Sequence, residues 1–252
     1  MAIQIVPFDQ QGFGEFNNGK IVENKPIGFP KDGSLLKPYS NLFYWAHARA
    51  LKESTIALHP HKGFEICTFV LKGDIRHFDT QLNEWKNLQA GDAQIIRAGS
   101  GISHSEWMGQ HAELFQIWFD PNLAKTLSQP ASYNDYSAQQ FPSKSLQAGT
   151  LQTIIGEGSP FKMDTPGIEF FQLTLDAGGI DLPINPSAVT SIYVLEGDAI
   201  VNGEVVRTSD FAVVTEIQQL EITVFAPTKL FLLQSPLVPG YTTYARQTLR
   251  PQ

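Results

Sequence analysis

Phe69-Val70-Leu71-Lys72-Gly73-Asp74 is a β-prone apolar run closed by a turn, and Tyr193-Val194-Leu195-Glu196-Gly197-Asp198 repeats it in the second half of the chain. Such a run bounded by a Gly-Asp turn reads as a strand opening into a hairpin. Around the first copy lie further short β-prone runs at 42–50, 54–58, 93–97 and 113–119, with turn residues such as Ala90-Gly91-Asp92 between them. No long helical period competes with them. Asp120-Pro121 stops the last run, because proline cannot donate to a strand ladder. A repeated strand-turn pattern implies one scaffold built twice, so the chain is expected to be all-β. The expected division is residues 1–130, a connector at 131–150 partly packed by Tyr133, Tyr136 and Phe141, and residues 151–252, the last of which are free to pack back on the first domain. Residues 1–40 read as an edge strand or two with irregular loops.

Sliding the halves together on that match sets His59 against Pro183 and His61 against Asn185, and all six histidines lie at or before His111. Only the first half is therefore expected to carry histidine chemistry.

The 252 residues are enough for two small β domains with real cores. A composition of 42 % hydrophobic and 17 % charged residues suits short strands joined by Gly- and Pro-rich turns. The net charge of −7 repels phosphate backbones and argues against direct nucleic-acid binding. Cys67 is the sole cysteine, which excludes an intrachain disulfide and reads as a small buried hydrophobe in a reducing compartment. No apolar run reaches the roughly 18 residues of a membrane span, and residues 1–9 lack the pattern of a secretory signal. A cytoplasmic monomer is the expectation.

The chemistry is expected at His59-Pro60-His61-Lys62-Gly63-Phe64-Glu65 and at Gly99-Ser100-Gly101-Ile102-Ser103-His104-Ser105-Glu106. Side chains at i and i+2 of a strand share a face, so His59/His61 and His104/Glu106 form two donor pairs able to meet at one metal ion. Three imidazoles and one carboxylate leave open positions in an octahedral set; they suit Fe(II) and also Mn, Co, Ni, Cu or Zn. Glu65 reads either as a further donor or as a carboxylate orienting His59 or His61. His47, His77 and His111 read as packed or surface residues. The Gly-rich 98–101 segment lacks the Lys-Ser/Thr of a phosphate loop and reads as a turn close to the metal.

These pieces, with Val70-Leu71-Lys72-Gly73, Ala90-Gly91-Asp92 and Gln116-Ile117-Trp118-Phe119, resemble the pirin family of the cupin superfamily over roughly residues 40–120. Lys62 stands where an arginine is common in that family. The resemblance implies a bicupin, two tandem jelly-roll β-barrels, with iron or another divalent transition metal held by His59, His61, His104 and Glu106 of the N-terminal one. It also implies a dioxygenase that cleaves a flavonol such as quercetin at C2–C3 with loss of carbon monoxide, Glu106 taking the substrate proton as general base. Phe64, Trp107 and Trp118 would be wall residues for the flat substrate, or plain core. The alternative in the same family is a non-catalytic, redox-sensing regulatory protein that binds a protein partner.

Overall fold

The computed structural model describes residues 2–248, and nearly all of their regular structure is antiparallel strand. By contact the chain groups into two compact units. One comprises Gln11–Ala138, Met163–Pro166 and the residues from Gly240 on; the other comprises the residues up to Gln10, Gln139–Lys162 and Gly167–Pro239.

The histidine-bearing unit pairs a seven-stranded sheet with a four-stranded one. The larger runs in the order Ser132–Tyr136, Ala93–Arg97, Glu65–Lys72, Glu113–Phe119, Leu42–Ala50, Ile21–Ile27, Gly12–Phe16. The smaller runs Ser54–His61, Ile102–Met108, Asp74–Asp79, Trp85–Gln89. The two sheets meet in an apolar cluster in which Ile21, Val70 and Leu114 of the first touch Ile75, Leu88 and Met108 of the second. Each such side chain taken from water contributes about 1.5–3 kcal/mol, which is what holds the sheets face to face. Ile56 packs against this cluster, and His59 and His61 lie further along the same strand.

The second unit repeats the plan. Its seven-stranded sheet runs Ala2–Val6, Phe211–Thr215, Ala188–Glu196, Thr228–Pro236, Glu169–Leu175, Gly149–Ile155, Ser143–Leu146; its four-stranded sheet runs Gly178–Pro183, Gln219–Val224, Ala199–Val201, Glu204–Val206. This is the tandem cupin architecture expected of the doubled pattern. The units are not separated by one cut along the chain: Ala2–Val6 takes, beside Phe211–Thr215, the edge place that Ser132–Tyr136 takes beside Ala93–Arg97.

The ungapped match of the halves needs a correction at the site. Pro183 pairs with Gln219 and both are exposed, whereas Leu182 pairs with Leu220 and both are buried in the apolar cluster of their unit. Leu182 and Leu220 therefore fill the inward place that the paired His59 and His104 fill in the other unit, and Ile184 rather than Asn185 is the next inward residue. A slip of one residue exchanges the two faces of a strand. No helix among the described residues is long and apolar enough to cross a membrane.

Candidate metal centre

His59 and His104 face each other across an antiparallel pair, with His61 opposite Ile102. Turns bring these strand ends together. Gly63 N–H donates to Gly99 O at 3.0 Å, and a Cβ at Gly99 would lie 2.5 Å from Gln129 O, so only glycine fits there. The result is a convergence of imidazoles: His104 Nε2 lies 2.9 Å from His59 Nε2 and 2.9 Å from His61 Nε2. Among the described residues these three form a group whose ligand atoms all lie within 4.8 Å of one another, suited to holding a metal ion.

Their protons can be placed. His59 Nδ1 lies 2.8 Å from the Ala57 carbonyl, which only accepts, so Nδ1 carries the hydrogen and Nε2 presents a lone pair to the centre. Burial, with the neighbouring His104 and His59, pushes the His61 pKa down to about 3, and burial with His59 and His77 holds His104 well below the usual range. Near neutral pH both are uncharged, the form that ligates a metal.

His104 Nδ1 lies 3.3 Å from His77 Nε2, and His77 Nδ1 lies 3.8 Å from Asp79 Oδ2. His77 and Asp79 are both 1 % exposed. If His104 offers Nε2 to the centre, its Nδ1–H donates to His77 Nε2, while His77 Nδ1 and Asp79 Oδ2 stand beyond hydrogen-bond distance of each other. The sequence places His77 among packed or surface residues; in the structure it is packed behind His104, His77-Phe78-Asp79 is a third i, i+2 pair, and the register sets Asp79 opposite His104 and His77 opposite Glu106.

Glu106 sits beyond a register shift after His104, pairing with Ile56. It is 2 % exposed, and Gln116 Nε2 donates to its two oxygens at 3.0 and 2.9 Å, with Thr68 Oγ1 at 3.4 Å. Its oxygens are not in the group formed by the three imidazoles. Glu65 orients neither His59 nor His61. Its carboxylate accepts from Asp164 N–H at 2.7 Å, Thr165 N–H at 2.7 Å and Thr165 Oγ1–H at 2.5 Å, with Arg97 Nε 3.8 Å away. Burial raises its pKa against those hydrogen bonds.

Beside the imidazoles opens a cavity of about 610 Å³, lined by His59, His61, Gln116, Trp118, Tyr44 and Phe29 among others. Trp118 lies edge-on to His61 with centroids 4.9 Å apart. Phe64 packs on Phe43 at 4.5 Å and reaches Trp118 at 5.9 Å. Trp107 is not a wall residue: it lies under the Arg76 guanidinium, 4.4 Å from ring centroid to Cζ. Cys67 is fully buried, with its thiol pKa pushed up by that burial. His47 is paired with Glu113 at 3.0 Å.

The nitrogen positions fit a metal. Donors about 2.1 Å from one ion and at right angles to each other stand about 3.0 Å apart, close to both 2.9 Å separations measured here.

Comparison with known proteins agrees with this picture. The Pirin family profile matches residues 32–119. A Vibrio cholerae protein named "Putative quercetin 2,3-dioxygenase" is 30 % identical over 193 residues, covering 71 % of this chain and 68 % of its own length. The quercetin 2,3-dioxygenase of Escherichia coli is 28 % identical over 183 residues, covering 71 % of this chain and 76 % of that one. Among solved structures, the bacterial pirin YhhW of Escherichia coli in complex with nickel(II) superposes with a TM-score of 0.80 at 22 % identity, covering 94 % of this chain and all (100 %) of that one. By sequence motif and identity together, the chain belongs to the pirin family.

Proposed function

We propose that this protein is a metal-dependent dioxygenase that opens flavonols such as quercetin at C2–C3, with His59, His61, His104 and Glu106 as ligands of one divalent metal, iron(II) first among them. The observation that carries this reading is the convergence of three imidazole nitrogens at the edge of an aromatic-lined cavity of about 610 Å³, a volume within the range of small-molecule sites. The relatives' names supply the substrate class.

When bound, the metal supplies Lewis acidity toward the substrate's 3-hydroxyl and the one-electron chemistry that dioxygen requires. The chain's own residues do the rest. His59 is held by Ala57 O with its Nε2 lone pair inward. His104 is held through its other nitrogen by His77. Glu106, on the same strand as His104 and fixed by Gln116, is the carboxylate that completes the donor set and takes the hydroxyl proton. Trp118, Tyr44 and Phe29 provide ring faces for a flat substrate and keep bulk water from it.

The test pairs elemental analysis with oxygen uptake on quercetin. Wild-type protein should carry about one metal ion per chain and consume oxygen, and His59→Ala should lose both. Metal-free protein that turns over quercetin at the wild-type rate overturns the proposal.

A further inference from the structure

The cavity beside the imidazoles has a second, charged end. Lys25 Nζ lies 3.3 Å from Glu23 Oε2 and 3.2 Å from Asp32 Oδ2, and Tyr44 OH donates to Glu23 Oε2 at 3.3 Å. Glu23 and Lys25 are only 4 % and 6 % exposed, yet both line the space that His59 and His61 line. Gly14 makes room for this arrangement, since a Cβ there would collide with Lys25 Nζ. Burying three ionisable groups carries a desolvation cost that their mutual pairing only partly offsets. Asp32 also closes the Phe29–Asp32 turn, its Oδ2 accepting from Phe29 N–H at 3.0 Å.

The two ends are joined by one aromatic wall. Trp118 is 4.9 Å from His61, Tyr44 is 5.0 Å from Trp118, and Lys25 Nζ stands 5.8 Å from the Tyr44 ring centroid. A flat molecule anchored at the imidazoles and lying on that wall presents its far end to Lys25, Glu23 and Asp32. One ammonium between two carboxylates sums to at most one negative charge, so an anionic far end is repelled. An aliphatic end offers the buried charges no new partner, and a methoxy oxygen can accept from Lys25 but has no hydrogen for a carboxylate. A hydroxyl can both donate to a carboxylate oxygen and accept from Lys25.

We infer that Glu23, Lys25 and Asp32 form a distal subsite that recognises the free hydroxyl groups of a flat aromatic substrate, at the end opposite the one held at the imidazoles. The inference rests on the flavonol reading and deepens it. It makes these residues determinants of specificity, apart from the metal ligands.

The test is calorimetric titration of the full chain loaded with Zn(II), which has no redox chemistry and so reports binding alone. Three ligands share the 3-hydroxy-4-keto end: quercetin, 3-hydroxyflavone without other hydroxyls, and quercetin methylated at every hydroxyl except the 3-position. Quercetin should bind about tenfold or more tightly than either of the others, the range of a hydrogen bond to a charged group. The double variant Glu23→Gln/Asp32→Asn, which keeps side-chain volume and acceptors, should bring the three affinities within about threefold by weakening quercetin alone. Equal affinity of wild type for all three ligands overturns the subsite while leaving the flavonol reading standing. Discrimination that survives in the double variant overturns it too. Failure of all three to bind overturns both.

Discussion

His77 Nε2 lies 3.3 Å from His104 Nδ1, on the side of the His104 ring away from His59 and His61. The contact fixes which nitrogen His104 offers to the centre, with the Asp79 carboxylate 3.8 Å behind His77, beyond hydrogen-bond distance. Partners of this kind typically alter metal affinity by 10- to 100-fold when removed. His77→Phe is therefore expected to weaken metal binding by about that factor with the fold intact, read by competition titration with a chromophoric chelator. His77→Gln, whose amide oxygen can accept from His104 Nδ1–H, should recover much of the loss. Equal affinity in wild type and His77→Phe would show that His104 needs no support from behind.

Gln116 Nε2 lies within hydrogen-bond distance of both oxygens of Glu106, at 3.0 and 2.9 Å. Gln116→Leu keeps the approximate size and removes the donors, leaving a 2 %-exposed carboxylate with Thr68 alone. The expected cost is about 1–3 kcal/mol of stability, the penalty for stripping a buried acceptor of its partner. Chemical denaturation checks it, and an unchanged midpoint would mean that Glu106 draws no stabilisation from this pair.

Glu65 is a test of position against proximity in sequence. It lies four residues from His61, yet its oxygens are taken up by Asp164, Thr165 and, at longer range, Arg97. Glu65→Ala should destabilise the protein by about 2–4 kcal/mol, because two buried donors of Thr165 and the part-buried N–H of Asp164 lose their acceptor. Its metal content per folded chain should match wild type, in contrast to His59→Ala. Loss of metal from folded Glu65→Ala protein would return Glu65 to the ligand set.

The convergence of His59, His61 and His104 was legible because strand parity is a local rule: residues two apart share a face wherever the backbone stays extended. The same rule sets His77 and Asp79 of His77-Phe78-Asp79 on one face, but the spacing alone does not distinguish a pair behind the site from an ordinary packed one. At Glu65 the rule lapses, since Gly63 (φ 83°) interrupts the strand between it and His61. The pairing of Leu182 with Leu220 was missed for a related reason. An ungapped match anchored at Val70 and Val194 carries its phase across a turn whose length differs between the halves, and one residue of error exchanges buried and exposed faces. Lys25 and Glu23 gave a weaker signal still. Both charges look solvated in sequence, and only the folding of residues 28–44 around them shows that they line a cavity. Edge strands such as Ala2–Val6 are placed by partners more than a hundred residues away, which no local pattern encodes.

A histidine outside the centre, His47, makes stability depend on pH. His47 is 4 % exposed, and its Nε2 lies 3.0 Å from Glu113 Oε2. Burial outweighs that contact and lowers the His47 pKa from its ordinary value of 6.5, so the ring is held neutral and donates its N–H to the carboxylate. The sign follows from linkage. Above pH 6.5 neither folded nor unfolded chain carries the proton; as the pH falls below it, the unfolded chain takes up a proton that the folded chain refuses, and stability drops until the folded value is passed. Glu113, whose pKa the same contact lowers, titrates below that window. His61, His77 and His104 are shifted in the same direction, so the wild-type slope alone is composite. The difference from His47→Gln isolates one group. Between pH 7 and 5.5 the wild type should lose stability more steeply than His47→Gln, by at most about 1.4 kcal/mol per pH unit. Parallel curves in denaturant titrations across that range would sink the assignment of a neutral, buried His47.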